Sequence, residues 1–182
     1  QKGLASMERI NKILNAENNI REISNPVTIS TLNDKISFQS VHFSYNEQKE
    51  VLSNINLTIP KGKTIALVGQ SGSGKSTLVD LIPRFHDIDK GKILIDGVNI
   101  KELSLLSLRN LIGNVSQEAI LFNDTIFNNI AFGNTPNAEG GNDAEEDKEL
   151  MERVIAAAKI ANADSFIDRL PEGYNTVLTG DG

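Results

Sequence analysis

Apolar positions at Leu4, Met7, Ile10 and Leu14 recur at three- and four-residue steps, predicting one helical stripe ahead of the Asn18-Asn19 breaker. Such a helix could pack on its own domain or connect it to something upstream. The texture changes after Pro26. "ISFQSVHFSY" (36–45) and "VLSNINLTI" (51–59) alternate apolar and polar residues around a polar "NEQKE" turn, which predicts antiparallel sheet with one wet face. "KTIALVG" (63–69) is apolar at Ile65, Ala66, Leu67 and Val68, so it reads as a strand buried on both faces of a parallel sheet. A helix carrying Leu78, Leu81 and Ile82 follows, ended or kinked by Pro83.

"GKILIDGVNI" (91–100) predicts a strand and a tight Asp96-Gly97 turn. A short helix over 104–111 and a second buried strand over 112–117 come next. "DTIFNNIAF" (124–132) opens with an Asp N-cap signal, and residues 134–142 form a polar, glycine-bearing loop. A helix over 143–161 carries Leu150, Val154, Ile155 and Ala158 on one side. Seven acidic residues lie between Glu139 and Glu152 against Lys148 alone, which a solvated helix start accounts for, since carboxylates favour the positive end of the helix dipole.

Between the buried strand and its helix, Gly69-Gln70-Ser71-Gly72-Ser73-Gly74-Lys75-Ser76 satisfies G-x-x-x-x-G-K-[ST]. A triphosphate presents oxygens in every direction, so a chain that holds it must curl with several N–H groups turned inward. Glycines permit that curl. Lys75 is expected to place its ammonium between the β- and γ-phosphates at a helix N-terminus, with Ser76 offering a hydroxyl to Mg²⁺ and Thr77 one to the α-phosphate. The context of strand, loop and helix is the one this chemistry requires.

Composition narrows the field. With 182 residues, 39% hydrophobic content and no Trp, the chain suits a globular α/β protein. A net charge of −6 argues against nucleic acid as a partner, the absence of Cys excludes disulfides and cysteine-held metals, and no apolar run is long enough to span a membrane. The chain reads as soluble. It starts without Met and stops at "TVLTGDG", as expected of a piece of something longer.

Around the loop, the sequence resembles the nucleotide-binding domain of exporter-type ABC transporters over nearly its whole length. "VHFSYNEQKEVLSNINLTIPKGKTIALVGQSGSGKSTLVDLIPRF", "GKILIDGVNI", "NVSQEAILFNDTIFNNIAFG" and "AAAKIANADSFIDRLPEGYNT" carry that resemblance, and "ASMERINKILN" is similar to the connector from the last membrane helix. The resemblance implies an α/β fold: a RecA-like P-loop NTPase core, an antiparallel β-subdomain and part of an α-helical subdomain (about 118–172), incomplete at the C-terminus. Residues 1–24 would be the connector and 25–182 the partial nucleotide-binding domain. It implies ATP and Mg²⁺ held by Tyr45, Val51, Gly69, Ser71, Gly72, Ser73, Gly74, Lys75, Ser76, Thr77 and Gln117. Tyr45 would stack on adenine, which a flat ring does for any base, and Val51 would flank base and ribose. Gln117 would reach Mg²⁺, with Ser76, and sense the membrane domain. Taken alone, Tyr45 reads as core and Gln117 as a solvated strand end. His42 and His86 match no catalytic position and read as structural or solvent-facing. The implied partners are a transmembrane domain of the same parent chain and a second nucleotide-binding domain, on the cytoplasmic side of a membrane.

The departures are as informative. Asp181 stands where the family has Glu, no LSGGQ occurs, and no apolar strand ending in Asp-Glu follows the loop at the family distance. Lys75 and Gln117 support phosphate charge but cannot replace the missing base, so this piece is expected to bind nucleotide at most and to hydrolyse negligibly. Strand 63–69 would also lack a pairing neighbour and leave an apolar edge. The alternative readings are a soluble ABC-type ATPase or another P-loop enzyme such as a small-molecule kinase, unconnected with transport, or a module that only binds.

Overall fold

Two stretches of extended backbone, β1 (Lys35–Ser44) and β2 (Glu50–Pro60), pair antiparallel with Ile36 opposite Ile59 and Phe38 opposite Leu57. This is a computed structural model, and it describes residues 2–15, 20–46, 49–117, 120–133 and 144–179. The Asn18-Asn19 breaker, part of the "NEQKE" turn, the 134–142 loop and Asp181 lie outside the described residues. The chain divides into two compact units, residues 1–114 and 115–182.

In the first unit the strand order is β2-β1-β3-β4, with β3 (Lys90–Ile95) antiparallel to β1 and β4 (Val98–Asn99) folding back on β3. The hairpin prediction holds. Asp96 and Gly97 both adopt positive φ, 50° and 86°, as a two-residue turn of this hand requires. Asp96 also anchors the strand before it, its carboxylate accepting from the backbone N–H groups of Asn33, Asp34 and Lys35 at 2.6, 2.8 and 3.0 Å. Those bonds favour the ionised form and lower its pKa. The β1–β3 ladder slips between Gln39 and His42. Opposite the slip Gly91, at φ 89°, leaves no room for a side chain: a Cβ there would lie 2.3 Å from the Ser40 carbonyl oxygen.

One sheet face carries Phe38, Val41, Phe43, Leu52, Ile93 and Ile95 into a core with Leu78 and Leu81, and Leu108 of α3 (Leu105–Asn110) joins them. Leu78 belongs to α2 (Lys75–Asp80), the six-residue helix that follows the glycine loop and gives way to turns just before buried Pro83. Beyond it Arg84 turns the chain at φ 55° and is itself 3% exposed. A buried guanidinium must be paired. Here Nε donates to Asp87 Oδ1 at 2.7 Å and Nη2 to Asp87 Oδ2 at 3.2 Å, while Nη2 also reaches the Arg21 carbonyl at 3.0 Å.

The expected parallel strands 63–69 and 112–117 do not form. Both segments run unpaired. A strand is a set of hydrogen bonds rather than a property of a segment, and no described residue supplies a neighbour for either. The expected burial fails with the pairing: Ile65 and Leu67 are 43% and 37% exposed. Ile65 and Leu67 line an apolar groove of about 280 Å³ against the β1/β2 face and α2, while Val68 on the opposite side is 94% exposed. Val115 is 96% exposed. The amino-terminal helix α1 (Lys2–Leu14) forms as the spacing predicts, with Met7, Ile10 and Leu14 open to solvent.

The second unit is helical: α4 (Ile126–Ala131), α5 (Ala144–Ile160), α6 (Asp164–Ile167) and a 3₁₀ turn at Gly173–Asn175. Leu150, Val154 and Ala158 of α5 are buried, as the periodicity requires, against Ala131, Ile126 and Ile167. The cap of α4 is Thr125 rather than Asp124. Thr125 accepts from the Asn128 N–H at 3.0 Å, while Asp124 accepts from the Thr125 N–H and the Asn128 amide. Three acidic residues fill the first turn of α5 and Lys159 its last, as the dipole favours.

Arg84→Ala leaves the Asp87 carboxylate and the Arg21 carbonyl without their donor. About 3 kcal/mol of stability should be lost, the low end for a broken buried pair because Asp87 is partly exposed; a urea midpoint at unchanged m-value measures it. The lowered Asp96 pKa makes a second prediction. A carboxyl whose pKa is depressed on folding stabilises the fold above its unfolded pKa and loses that contribution as pH falls through the folded value. Stability should therefore fall between about pH 5 and pH 2, and Asp96→Asn, which keeps the turn, should flatten that fall in a pH series of unfolding midpoints.

Candidate functional site

The glycine loop lies where β2 meets α2. Its turn is closed by the Ser73 N–H donating to the Gln70 carbonyl at 3.2 Å, and Gly72 and Gly74 take φ of 77° and 87°. Gly74 carries the closest contact. It caps α2, and a Cβ on it would lie 2.8 Å from Leu52 Cδ2, 3.3 Å from the Val51 carbonyl oxygen and 3.4 Å from Val51 Cγ1. The loop is therefore pressed against β2 at Val51 and Leu52, and only glycine fits both that space and that backbone conformation.

The Lys75 side chain folds over the loop. Its ammonium donates to the carbonyls of Gly69 at 3.0 Å and Gln70 at 2.8 Å, and stands 3.4 Å from Ser73 Oγ. Ser71, Ser73 and Ser76 are exposed, and Ser76 lies in the first turn of α2. Thr77 is buried, its hydroxyl sharing a 3.0 Å hydrogen bond with the Tyr45 hydroxyl. Tyr45, just past the end of β1, thus stands beside the start of α2 with its ring 56% exposed. Of the residues singled out in sequence, Tyr45, Val51, Gly69 and Ser71–Thr77 converge in one place. Gln117 belongs to the second unit and is exposed.

Sequence spacing gave no sign of what holds Tyr45. Its ring meets Phe43 edge-on at 4.9 Å and His86 edge-on at 5.2 Å, with Phe43 and His86 5.5 Å apart. Nothing in the residues between them announces the Tyr45–His86 contact. His42 is half-buried and structural, as read: its Nδ1 lies 2.6 Å from Glu50 Oε1, and that hydrogen bond lowers the Glu50 pKa. It ties the end of β1 to the start of β2, the two strands that deliver Tyr45 and Val51.

A left-handed glycine loop opening on a helix, with a lysine drawn back over it, is the geometry of a P-loop. The sequence profile of the family described as "ABC transporter" matches residues 52–178. The chain belongs to the ABC transporter family. It is 46% identical, over 178 residues, to an "ATP-dependent lipid A-core flippase" of Syntrophus aciditrophicus (strain SB), covering 98% of this chain and 28% of that protein. A protein of the same description from Desulfotalea psychrophila is 43% identical over 182 residues, covering 100% and 29%. Among solved structures, "Structure of a bacterial Atm1-family ABC exporter with ATP bound" superposes with a TM-score of 0.75 at 35% identity, covering 99% of this chain and 31% of that one. The chain spans less than a third of the length of these relatives.

Gly74→Ala should destabilise the first unit by about 1–3 kcal/mol, since it forces a side chain into a left-handed conformation and against Leu52. Thermal melting of variant and parent side by side measures the loss.

Proposed function

We propose that this chain is the ATP-binding motor portion of a membrane exporter, coupling ATP binding and hydrolysis in its parent protein to movement of a substrate across a membrane. The observation that carries the reading is the convergence of Tyr45 and Val51 on the glycine loop ahead of α2. A phosphate chain fits a loop whose backbone curls at Gly72 and Gly74 and whose one ammonium lies over it. The names of the relatives, flippases and an exporter with ATP bound, support transport rather than a soluble ATPase.

In this reading the N–H groups of residues 69–76 bind the phosphate oxygens, that of Ser73 on leaving the Gln70 carbonyl, and Lys75 exchanges its carbonyl partners for the β- and γ-phosphates. Tyr45 offers its exposed face to adenine, with Val51 beside the sugar. Among the described residues no three of His, Asp or Glu are gathered as a cage, and Mg²⁺ is assigned to the phosphates together with the Ser76 hydroxyl. When bound, it draws charge from the transferring phosphate. Thr77 donates its hydroxyl proton to the α-phosphate, accepting from the Tyr45 hydroxyl.

The remaining surfaces suit a part of a larger machine. Among the described residues no helix is long and apolar enough to cross a membrane, so the membrane portion is assigned to the parent chain ahead of α1, with α1 and residues up to 24 as connector and 25–182 as part of the nucleotide-binding domain. Phe122 and Phe132 stack at 4.7 Å while 48% and 66% exposed, and Ile120 beside them is 82% exposed. An exposed apolar patch of this kind fits a docking face, here for the membrane domain close to Gln117. A second nucleotide-binding domain would complete the site from the cytoplasmic side.

Calorimetry on the full-length parent with MgATP tests the reading. Lys75→Ala should weaken binding about 10- to 100-fold, the range of one charged hydrogen-bonding group, and no heat from the unsubstituted protein would refute it. The 182-residue chain alone should release phosphate at least about a hundredfold more slowly than the parent, for want of a group that activates water.

A further inference from the structure

Among the described residues, three contacts hold the Tyr45 side chain: Phe43 edge-on at 4.9 Å, His86 edge-on at 5.2 Å, and the Thr77 hydroxyl at 3.0 Å from the phenol oxygen. They are not equivalent. Phe43 is a core residue of β1, 3% exposed, and would be kept for the sheet alone. Thr77 has a second role if phosphate binds at the start of α2: its one hydroxyl proton then goes to a phosphate oxygen, and towards Tyr45 it is left as an acceptor only. His86 alone has no other task among its described contacts: it is exposed, outside helix and strand, and touches Phe43 and Tyr45.

The backbone under His86 is fixed from both sides. Arg84 and Asp87 flank it with their two-pronged ion pair at 2.7 and 3.2 Å. Arg109 donates to the carbonyls of Pro83 and Arg84 at 3.2 and 3.1 Å. Farther on, the Asp89 N–H donates to the His42 carbonyl at 3.0 Å, closing the loop onto β1. An exposed imidazole on so restrained a turn is a rigid brace. A brace that fixes an aromatic in advance lowers the ordering entropy of whatever stacks on it.

We infer that His86 is a positioning residue for the base-stacking aromatic, holding the Tyr45 ring in place while a nucleotide engages the Thr77 hydroxyl. This rests on the nucleotide-binding reading above and deepens it: His86 acts on the base end of the ligand and not on its phosphates. Losing one edge-to-face aromatic contact corresponds to about a two- to tenfold change in affinity.

The test compares ATP with inorganic tripolyphosphate, by calorimetry on the full-length parent. His86→Ala should weaken ATP about two- to tenfold and leave tripolyphosphate unchanged, and His86→Phe, which keeps a ring, should restore ATP affinity. In a Tyr45→Ala background His86→Ala should have no further effect. Equal weakening of both ligands would reveal a merely structural turn and overturn the inference, as would an unchanged ATP affinity or a loss that persists without Tyr45. A parent protein that binds tripolyphosphate but shows no preference for ATP would instead overturn the base-stacking reading, and the inference with it.

Discussion

The contact between Gly74 and the Val51–Leu52 step of β2 is the constraint on which the first unit turns. It joins two kinds of order. Leu52 belongs to the packed face of the sheet, and Gly74 is the last residue before α2, so the same close approach sets where the helix starts and how the loop before it curls. Leu78 and Leu81 then drive the far side of that junction into the core. A loop that would otherwise be soft, with three serines and three glycines, inherits the rigidity of a hydrophobic core one turn away. The curl of the loop is thus a by-product of packing.

The sequence was most legible where a signal is local. Alternation in 36–45 and 51–59, the Asp96-Gly97 turn, the stripe of Leu150, Val154 and Ala158, and the glycine loop all depend on residues within a few positions of one another, and each is found where the pattern places it. Strands 63–69 and 112–117 failed for the opposite reason. Their apolar character states a demand for neighbours, and pairing depends on residues far away in the chain. Val68 and Val115 stand exposed because that demand is unmet among the described residues. At α4 the error was one of position: Asp124 and Thr125 both bear capping groups, and the hydroxyl, one residue closer, won.

The candidate site divides the same way. Its phosphate end is a contiguous motif and could be read directly. Its aromatic end is assembled from Tyr45, Phe43 and His86, brought together by the fold of β1 and by the turn after α2. That turn is set by a buried Arg84, a residue whose type suggested surface and whose left-handed backbone had no announcement. Acidic composition argued against nucleic acid as a partner, yet it told nothing of where the charge sits. Three of the acids simply occupy the first turn of α5.

Arg84 also grips the carbonyl of Arg21. The polypeptide entering the first unit from its amino-terminal side is therefore moored to the turn that bears His86, rather than trailing free until β1. Tension applied through that entry would be felt at the Arg84 guanidinium before any strand is strained. The mooring gives a pull from upstream a short mechanical lever onto the rim beside Tyr45.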